Sequence, residues 1–336
     1  LKRATVLSIV KYVVGLALGG AIFYLALRGL NVQTLLEKLR GARYEFWALS
    51  LGITLLANLL RAYRWRQLIQ ATGHDANLGK AFAALMVGYL VNFGVPRLGE
   101  VARCTLLMRS SKVPFATAIG TVVSERLIDV LTLLVLMLAL AATGASALLN
   151  LLGQADFASK IPHTNVFIGV ALIGTGVLLG LWFFRKQLLV MPALQPVIKF
   201  LLQLWQSIIS VRKVGNPLAF IVATLLIWLC YMLSMYYIFP ALNFDSTQSL
   251  YFSFVLLIMS AIGMAIPLPG GLGSYHSAIV FAFVAYGFPT EEGQVFAVVS
   301  HAFQMALYIV GGFICYLYLL FANPEAPKAA TAGAQG

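Results

Sequence analysis

Charge is what this chain goes without: Asp, Glu, Lys and Arg make up 10% of its 336 residues, against about 25% in an ordinary soluble domain. With 61% hydrophobic residues and a mean hydropathy of +0.90, that shortage excludes a soluble globular domain and points to a protein solvated by lipid. Cysteine is scarce as well. Cys104, Cys230 and Cys315 form neither a CxxC pair nor an even set, so they read as packing residues rather than a disulfide framework. No HExxH, DxD, Walker loop or clustered His/Cys ligand set occurs, so neither a metal nor a cofactor is expected. GGLG lacks the βαβ context of a dinucleotide fold. The net charge of +12 does not gather into a basic stripe with interleaved aromatics, so nucleic acid is not an expected partner.

What is abundant is long apolar sequence. A hydrocarbon core of about 30 Å takes roughly 20 residues of helix. Spans are expected near Val10–Leu27, Trp47–Leu60, Ala116–Ala142, Val166–Phe184, Leu218–Phe239 and Val295–Phe321. The second is short, but its flanks carry the interfacial aromatics Tyr63 and Trp65. The first follows Lys2, Arg3 and Lys11 without a small-residue cleavage site, which fits an uncleaved anchor. With the amino terminus in the cytoplasm, fifteen Lys and Arg fall inside, Arg61 and Arg64 among them. Five fall outside (Arg28, Lys38, Arg40, Arg43 and Lys160), and Arg97, Arg103 and Arg126 lie at membrane depth. The positive-inside rule therefore places both termini in the cytoplasm. The tail from Asn323 has no apolar period and reads as disordered.

Two apolar regions break off partway. Ala81–Val95 has fifteen residues, about 22 Å of helix, before Pro96 and Gly99. Tyr251–Ile266 meets PLPGGLG, Pro267–Gly273, before a second run at Ser277–Tyr286. Each reads as a re-entrant hairpin of two half-helices, whose irregular backbone is tolerated at depth only where protein or a wet cavity surrounds it. Gly99 is followed by Pro114 after fifteen residues and by Glu125 after eleven more; Gly273 is followed by Pro289 after sixteen and by His301 after twelve more. Hairpins entering from opposite sides with that spacing form an inverted repeat, the arrangement that marks a transporter's binding site. The fold class is all-α and polytopic: about six full spans plus two re-entrant helical hairpins related as inverted repeats. Its divisions are an anchor and loop (1–46), a first repeat (47–143), a connecting span with an amphipathic helix (144–216), a second repeat (217–321) and a tail (322–336). The amphipathic stretch Ala193–Val211 reads as an interfacial helix or as a connector between the repeats.

Charges inside the apolar runs are the candidate functional residues. SERLID, Ser124–Asp129, puts Glu125, Arg126 and Asp129 on one side of a helix, where each charge costs about 2.5–3.5 kcal/mol at the centre of a span. Arg97, Glu100 and Arg103 fall on one face after the Pro96 break, so the two groups can meet as alternating charges. One reading is a structural ion-pair lattice. The other is a cavity for a lipid headgroup, with a helix N-terminus at Gly99 and the arginines holding phosphate. The glycines of PLPGGLGSYH permit close backbone approach near Ser274. Tyr275, His276 and His301 leave open a proton-linked step, while a packing role is the plainer reading of a lone histidine. The GxxxG spacings at Gly15–Gly19 and Gly176–Gly180 are explained by helix packing.

The ordered motifs NFGVPRLGEVAR, SERLIDVL and PLPGGLGSYH, from about Trp47 to Phe321, resemble the lysylphosphatidylglycerol synthase transmembrane-region family, or flippase-like domain. The resemblance implies an integral protein of the bacterial inner membrane that moves or presents lipids; the best known members translocate aminoacylated phosphatidylglycerol. It carries over Pro96, Gly99, Glu100 and Arg103, then Glu125, Arg126 and Asp129, then Pro269, Gly270, Gly271 and Gly273. His276 departs from it, standing where many relatives have an acidic residue. Since this sequence ends soon after its last span, a stand-alone member without the soluble aminoacyl-transfer domain is expected. A translocase of an anionic or aminoacylated phospholipid is the leading reading. A membrane-embedded transferase using Glu125 or Asp129 as base, and a scaffold with a structural charge network, stand beside it. The expected partner is membrane phospholipid; a homo-oligomer and a separate lipid-modifying enzyme are further candidates.

Overall fold

The computed structural model describes residues 17–95, 97–154, 202, 206, 209–244, 249–266 and 268–322, with side chains described to residue 142 of the helix that ends at 154. The expected span at Val166–Phe184, nearly all of the amphipathic stretch Ala193–Val211, Pro96, Pro267 and the tail lie outside these residues. Every regular element among them is helical.

The first described elements are α1 (Ala17–Leu27) and α2 (Val32–Arg40), which Asn31 caps by accepting the Gln33 N–H. Apolar residues recur through α2 with helical period, and Val32, Leu36 and Leu39 are exposed, an apolar face of the kind that interfacial helices carry. The basic stretch Arg28–Arg43 is therefore largely this amphipathic helix rather than a plain loop. Next come α3 (Tyr44–Gln70), α4 (Leu78–Gly94), α5 (Leu98–Ser111) and α6 (Phe115–Gln154). The second expected span is thus 27 residues long, not a short one. After a 3₁₀ turn at Ser210–Lys213 follow α7 (Pro217–Tyr236), α8 (Ile238–Ala241), α9 (Leu250–Ala265), a 3₁₀ turn at Pro269–Gly271, α10 (Ser274–Ala285) and α11 (Thr290–Ala322). Side-chain oxygens of Asn77, Asn216 and Ser249 accept the orphan N–H groups that start α4, α7 and α9. Among the described residues, three stretches, Tyr44–Gln70, Pro217–Ala241 and Thr290–Phe321, are long and apolar enough to cross a membrane.

Both broken regions fold as helical hairpins. The α4 helix ends at Gly94, Val95 is extended, and Arg97 turns the chain in the left-handed region with φ 64° before α5 begins. A tight seam joins the limbs. A methyl group on Gly99 would collide with the Gly88 carbonyl and lie 2.6 Å from Asn92 Cγ. Asn92 Oδ1 instead accepts the Gly99 N–H at 2.7 Å, capping α5 from across the hairpin. In the second hairpin a methyl on Gly263 would lie 2.8 Å from the Ser274 carbonyl oxygen and 3.0 Å from Tyr275 Cα. Its turn depends on Gly270 (φ 59°) and Gly273 (φ 83°), a region that side chains bearing a Cβ avoid.

Each hairpin has its own core. Trp65, Ile69, Leu85, Cys104, Leu107 and Val122 join α3, α4, α5 and α6, while Phe239, Phe252, Phe283 and Phe296 interlock around the second hairpin. Cys104 and Cys230 are buried free thiols, as packing residues should be. The halves join where α3 packs on α7 and α4 on α11, the latter through Gly312, whose Cβ position lies 2.7 Å from Leu90 Cβ. The hairpin tips also touch: the Cβ position of Gly270 is 3.5 Å from the Phe93 ring. Gly19 of α1 packs against Leu272 and Gly273, so half of the first GxxxG spacing seats a hairpin tip rather than a partner helix.

Gly99→Ala should destabilise the protein by about 1–3 kcal/mol, because the added methyl overpacks a closed seam. Gly52→Ala, in open space within α3, should be neutral or stabilise by up to about 1 kcal/mol through helix propensity. Unfolding of both variants in detergent micelles checks the contrast.

Candidate functional site

The charged residues of three helices converge beneath the first hairpin. Glu125, on α6, is fully buried and touches four guanidinium groups. Arg61 of α3 makes a close hydrogen bond to Oε1, Arg126 donates to the same oxygen at 3.0 Å, Arg103 of α5 lies 3.0 Å from Oε2, and Arg64 of α3 stands at 3.7 Å. One turn on, Asp129 accepts from Arg64 at 2.6 Å and lies 3.6 Å from Arg61. The helix period explains the match: three residues separate the arginines on α3 and four separate the carboxylates on α6, so each pair faces the other.

Four guanidiniums meet two carboxylates here, and with Glu100 in the wall of the adjoining cavity one positive charge is left in surplus. Arg103 is the least satisfied member. It is 2% exposed, its Cζ lies 4.7 Å from the Trp65 ring centroid, and none of its three guanidinium nitrogens has a hydrogen-bond partner. Its 3.0 Å contact with Glu125 is an ion pair off the line a hydrogen bond needs. A buried donor left unpaired costs about 1–3 kcal/mol or more when charged, so this side chain is poised for an acceptor. Beside it lies a cavity of about 60 Å³, bounded by Tyr89, Asn92, Gly99, Glu100, Arg103 and Arg126. At about 10–15 Å³ of such space per water, it holds a few waters or one small polar group.

The structure thus brings Arg103, Glu125, Arg126 and Asp129 together and sets Glu100 and Gly99 in the cavity wall. Arg97 stands apart, exposed at the hairpin tip as the residue preceding α5. Gly99 does not present its N–H freely, since Asn92 takes it. Pro269, Gly270, Gly271 and Gly273 form the second tip, and Tyr275, His276 and His301 cluster behind it: the His301 ring lies 4.8 Å from each of the other two. This cluster is separate from the ion pairs. Arg61 and Arg64, counted above with the cytoplasmic charges, are buried at 8% and 0% exposure, because Glu125 and Asp129 draw their side chains against α6. The run RAYRWR reads as an ordinary basic membrane flank. The signal that could have found them is the spacing of Arg61 and Arg64, complementary to Glu125 and Asp129.

An all-helical protein with membrane-length apolar helices and a buried charge cluster belongs to the membrane proteins that keep ionised groups inside. The lysylphosphatidylglycerol synthase TM region profile matches residues 12–312, and the chain belongs to that family. It is similar to a UPF0104 membrane protein of Methanocaldococcus jannaschii, 24% identical over 131 residues, 38% of this chain and 36% of that protein. It is also similar to a UPF0104 membrane protein of Methanothermobacter thermautotrophicus, 28% identical over 265 residues, 72% of this chain and 75% of that protein. The chain thus spans only about a third of the first relative's length. No solved structure matches at the same stringency.

Glu125→Gln should cost about 3–5 kcal/mol, because it strands buried guanidiniums. Arg126→Gln should cost less than about 1 kcal/mol, because that side chain is 45% exposed and screened by solvent. Denaturant unfolding of the two variants in micelles measures the difference.

Proposed function

We propose that this protein is a lipid translocase that passes an anionic phospholipid headgroup through the arginine-lined cavity while the acyl tails stay in the bilayer. The observation that carries this reading is Arg103: a buried guanidinium without a hydrogen-bond partner, facing a cavity in a cluster with surplus positive charge. A purely structural lattice needs no such surplus. Arg61 and Arg64 suffice to hold α3 against α6, which leaves Arg103 and Arg126 to grip phosphate oxygens by charge-assisted bonds. Arg126, half exposed, meets the headgroup first, and Arg103 receives it deeper. Glu100 in the wall offers a counter-charge to a headgroup that also bears a cation.

The reading takes the two halves as inverted repeats in the cytoplasmic membrane of a prokaryote, both termini inside. The hairpin seams support this, since Gly88 meets Gly99 and Gly263 meets Ser274, each pair eleven residues apart. Hairpins entering from opposite faces and touching at Phe93 and Gly270 leave only a thin partition between the two aqueous sides. Passage requires the tips to part, because the cavity admits only a small polar group.

Purified protein in liposomes should equilibrate a fluorescent anionic phospholipid between leaflets, read by dithionite quenching. Arg103→Gln should slow transfer about tenfold or more, the effect of losing one charged hydrogen bond worth about 1.5–3 kcal/mol, with the fold intact by circular dichroism. A folded Arg103→Gln protein that transfers lipid at the native rate removes the cavity from the mechanism. A chemically altered lipid in mass spectra would instead mark a transferase.

A further inference from the structure

The arginine cavity is smaller than the headgroup that passes through it. Its volume of about 60 Å³ takes a few waters or one small polar group, at about 10–15 Å³ per water, whereas a phosphodiester brings its esterified carbons with it. Between headgroups the cavity holds something smaller, and the chemistry of its wall selects what.

That wall is built mainly of donors. Arg103 is 2% exposed, and all three of its guanidinium nitrogens lack a hydrogen-bond partner. Asn92 Oδ1 takes the Gly99 N–H at 2.7 Å, which leaves the hydrogens of its Nδ2 to donate. The Tyr89 hydroxyl accepts from Arg61 at 2.6 Å, which leaves its own hydrogen to donate. Arg126 lines the same cavity with 45% of its side chain exposed, and a solute approaches from that side. Gly99 and Glu100 belong to the first turn of α5, a 14-residue helix, so the positive end of its dipole lies in the wall. Among the lining residues the Glu100 carboxylate is the one side chain that only accepts.

Water satisfies bare N–H groups but not net charge. The four guanidiniums of the cluster stand against Glu125, Asp129 and Glu100, which leaves one positive charge in excess. In apolar surroundings an excess charge attracts a counter-ion far more strongly than it does in water, because the dielectric screening is weaker. A dianion overshoots the balance, a cation meets a repulsive wall, and a neutral solute leaves the charge as it stands. A monovalent anion little larger than a water molecule matches the charge, the donors and the space together.

We propose that the cavity beside Arg103 binds a small monovalent inorganic anion such as chloride, and that an incoming phosphodiester displaces it. The displacement rests on the translocase reading above; the binding does not. Both ligands are monoanions that accept from the same donors, so their exchange leaves the charge of the cluster unchanged and never strips Arg103 of an acceptor. No covalent bond forms or breaks.

Chloride alone tests the site. Protein in detergent is exchanged into gluconate, a monoanion too bulky for the cavity, then titrated with chloride and followed by ³⁵Cl line width. Native protein should broaden the line saturably, and dimethyl phosphate, the bare diester monoanion, should reverse the broadening. Arg103→Gln should abolish the saturable part, whereas Arg66→Gln, at a more exposed arginine paired with Asp75, should retain it. Glu100→Gln doubles the excess charge and should tighten chloride binding about tenfold, the order of effect of a charge about 5–6 Å away at i,i+3. A gain of binding does not arise from misfolding. Broadening that never saturates in native protein, that survives in Arg103→Gln, or that is unchanged in Glu100→Gln overturns the anion site. Broadening that dimethyl phosphate leaves intact overturns the displacement.

Transfer in liposomes separates the ion from the lipid. At constant ionic strength, replacing gluconate by chloride on both sides should slow the movement of a labelled anionic phospholipid severalfold, read by albumin extraction of the label. Equal rates in the two salts overturn the displacement. Native protein that moves no lipid in either salt overturns the translocase reading, while the line-width titration still decides the anion site.

Discussion

The burial of Glu125 is the constraint on which the first half of the molecule is organised. A carboxylate taken wholly out of solvent pays several kcal/mol in desolvation, repaid only by close opposite charge with good geometry. Here the repayment comes from three helices at once: Arg61 and Arg64 on α3, Arg103 on α5 and Arg126 on α6 itself. No two of these helices can slide without stranding a charge. The same requirement fixes the half-helix α5 against its hairpin partner, because Arg103 reaches Glu125 only when Gly88 and Gly99 let the limbs close.

On the translocase reading proposed above, that arrangement separates holding from binding. Trp65 shows how: its indole donates to Thr121 at 3.0 Å, tying α3 to α6, while its ring faces the Arg103 guanidinium. Its ion pair with Glu125 and its cation–π contact with Trp65 fix Arg103 in place while its guanidinium nitrogens keep no hydrogen-bond partner. A donor so positioned needs no reorganisation when an acceptor arrives, the condition under which a buried charge contributes most to recognition. Among the described residues the second half holds no comparable buried ion pair. Its core is aromatic, and the polar side chains fully buried in it are hydroxyls, amides and imidazoles, so the two hairpins offer chemically different surfaces on either side of the Phe93–Gly270 contact.

Much of the helical plan was legible in the sequence because apolar length and breaker residues report it directly. Both hairpins lie where a run of about fifteen residues meets glycine and proline, and the ends of α7 and α11 fall close to the expected spans. The site was less legible. Glu125, Arg126 and Asp129 stood out because charge is rare within an apolar helix. Arg61 and Arg64 did not, because basic residues at the end of a span are ordinary interfacial anchors, and only the partner helix shows that they turn inward. Arg97 was misjudged in the opposite sense: sequence spacing put it on a face with Glu100 and Arg103, but it lies before the helix with φ 64°, where helical periodicity no longer applies.

Composition and periodicity by themselves determined that the chain is helical and apolar, where its hairpins break, and which carboxylates must find partners at depth, since each follows from local length, backbone freedom and desolvation cost. Tertiary structure alone decided which arginines answer those carboxylates, that Asn92 rather than a ligand caps α5, and that His276 and His301 meet across the turn at Gly270. Those choices depend on the relative placement of helices far apart in the chain. Placement of that kind is set by close packing at Gly88, Gly263 and Gly312, which a single sequence does not encode in any local pattern.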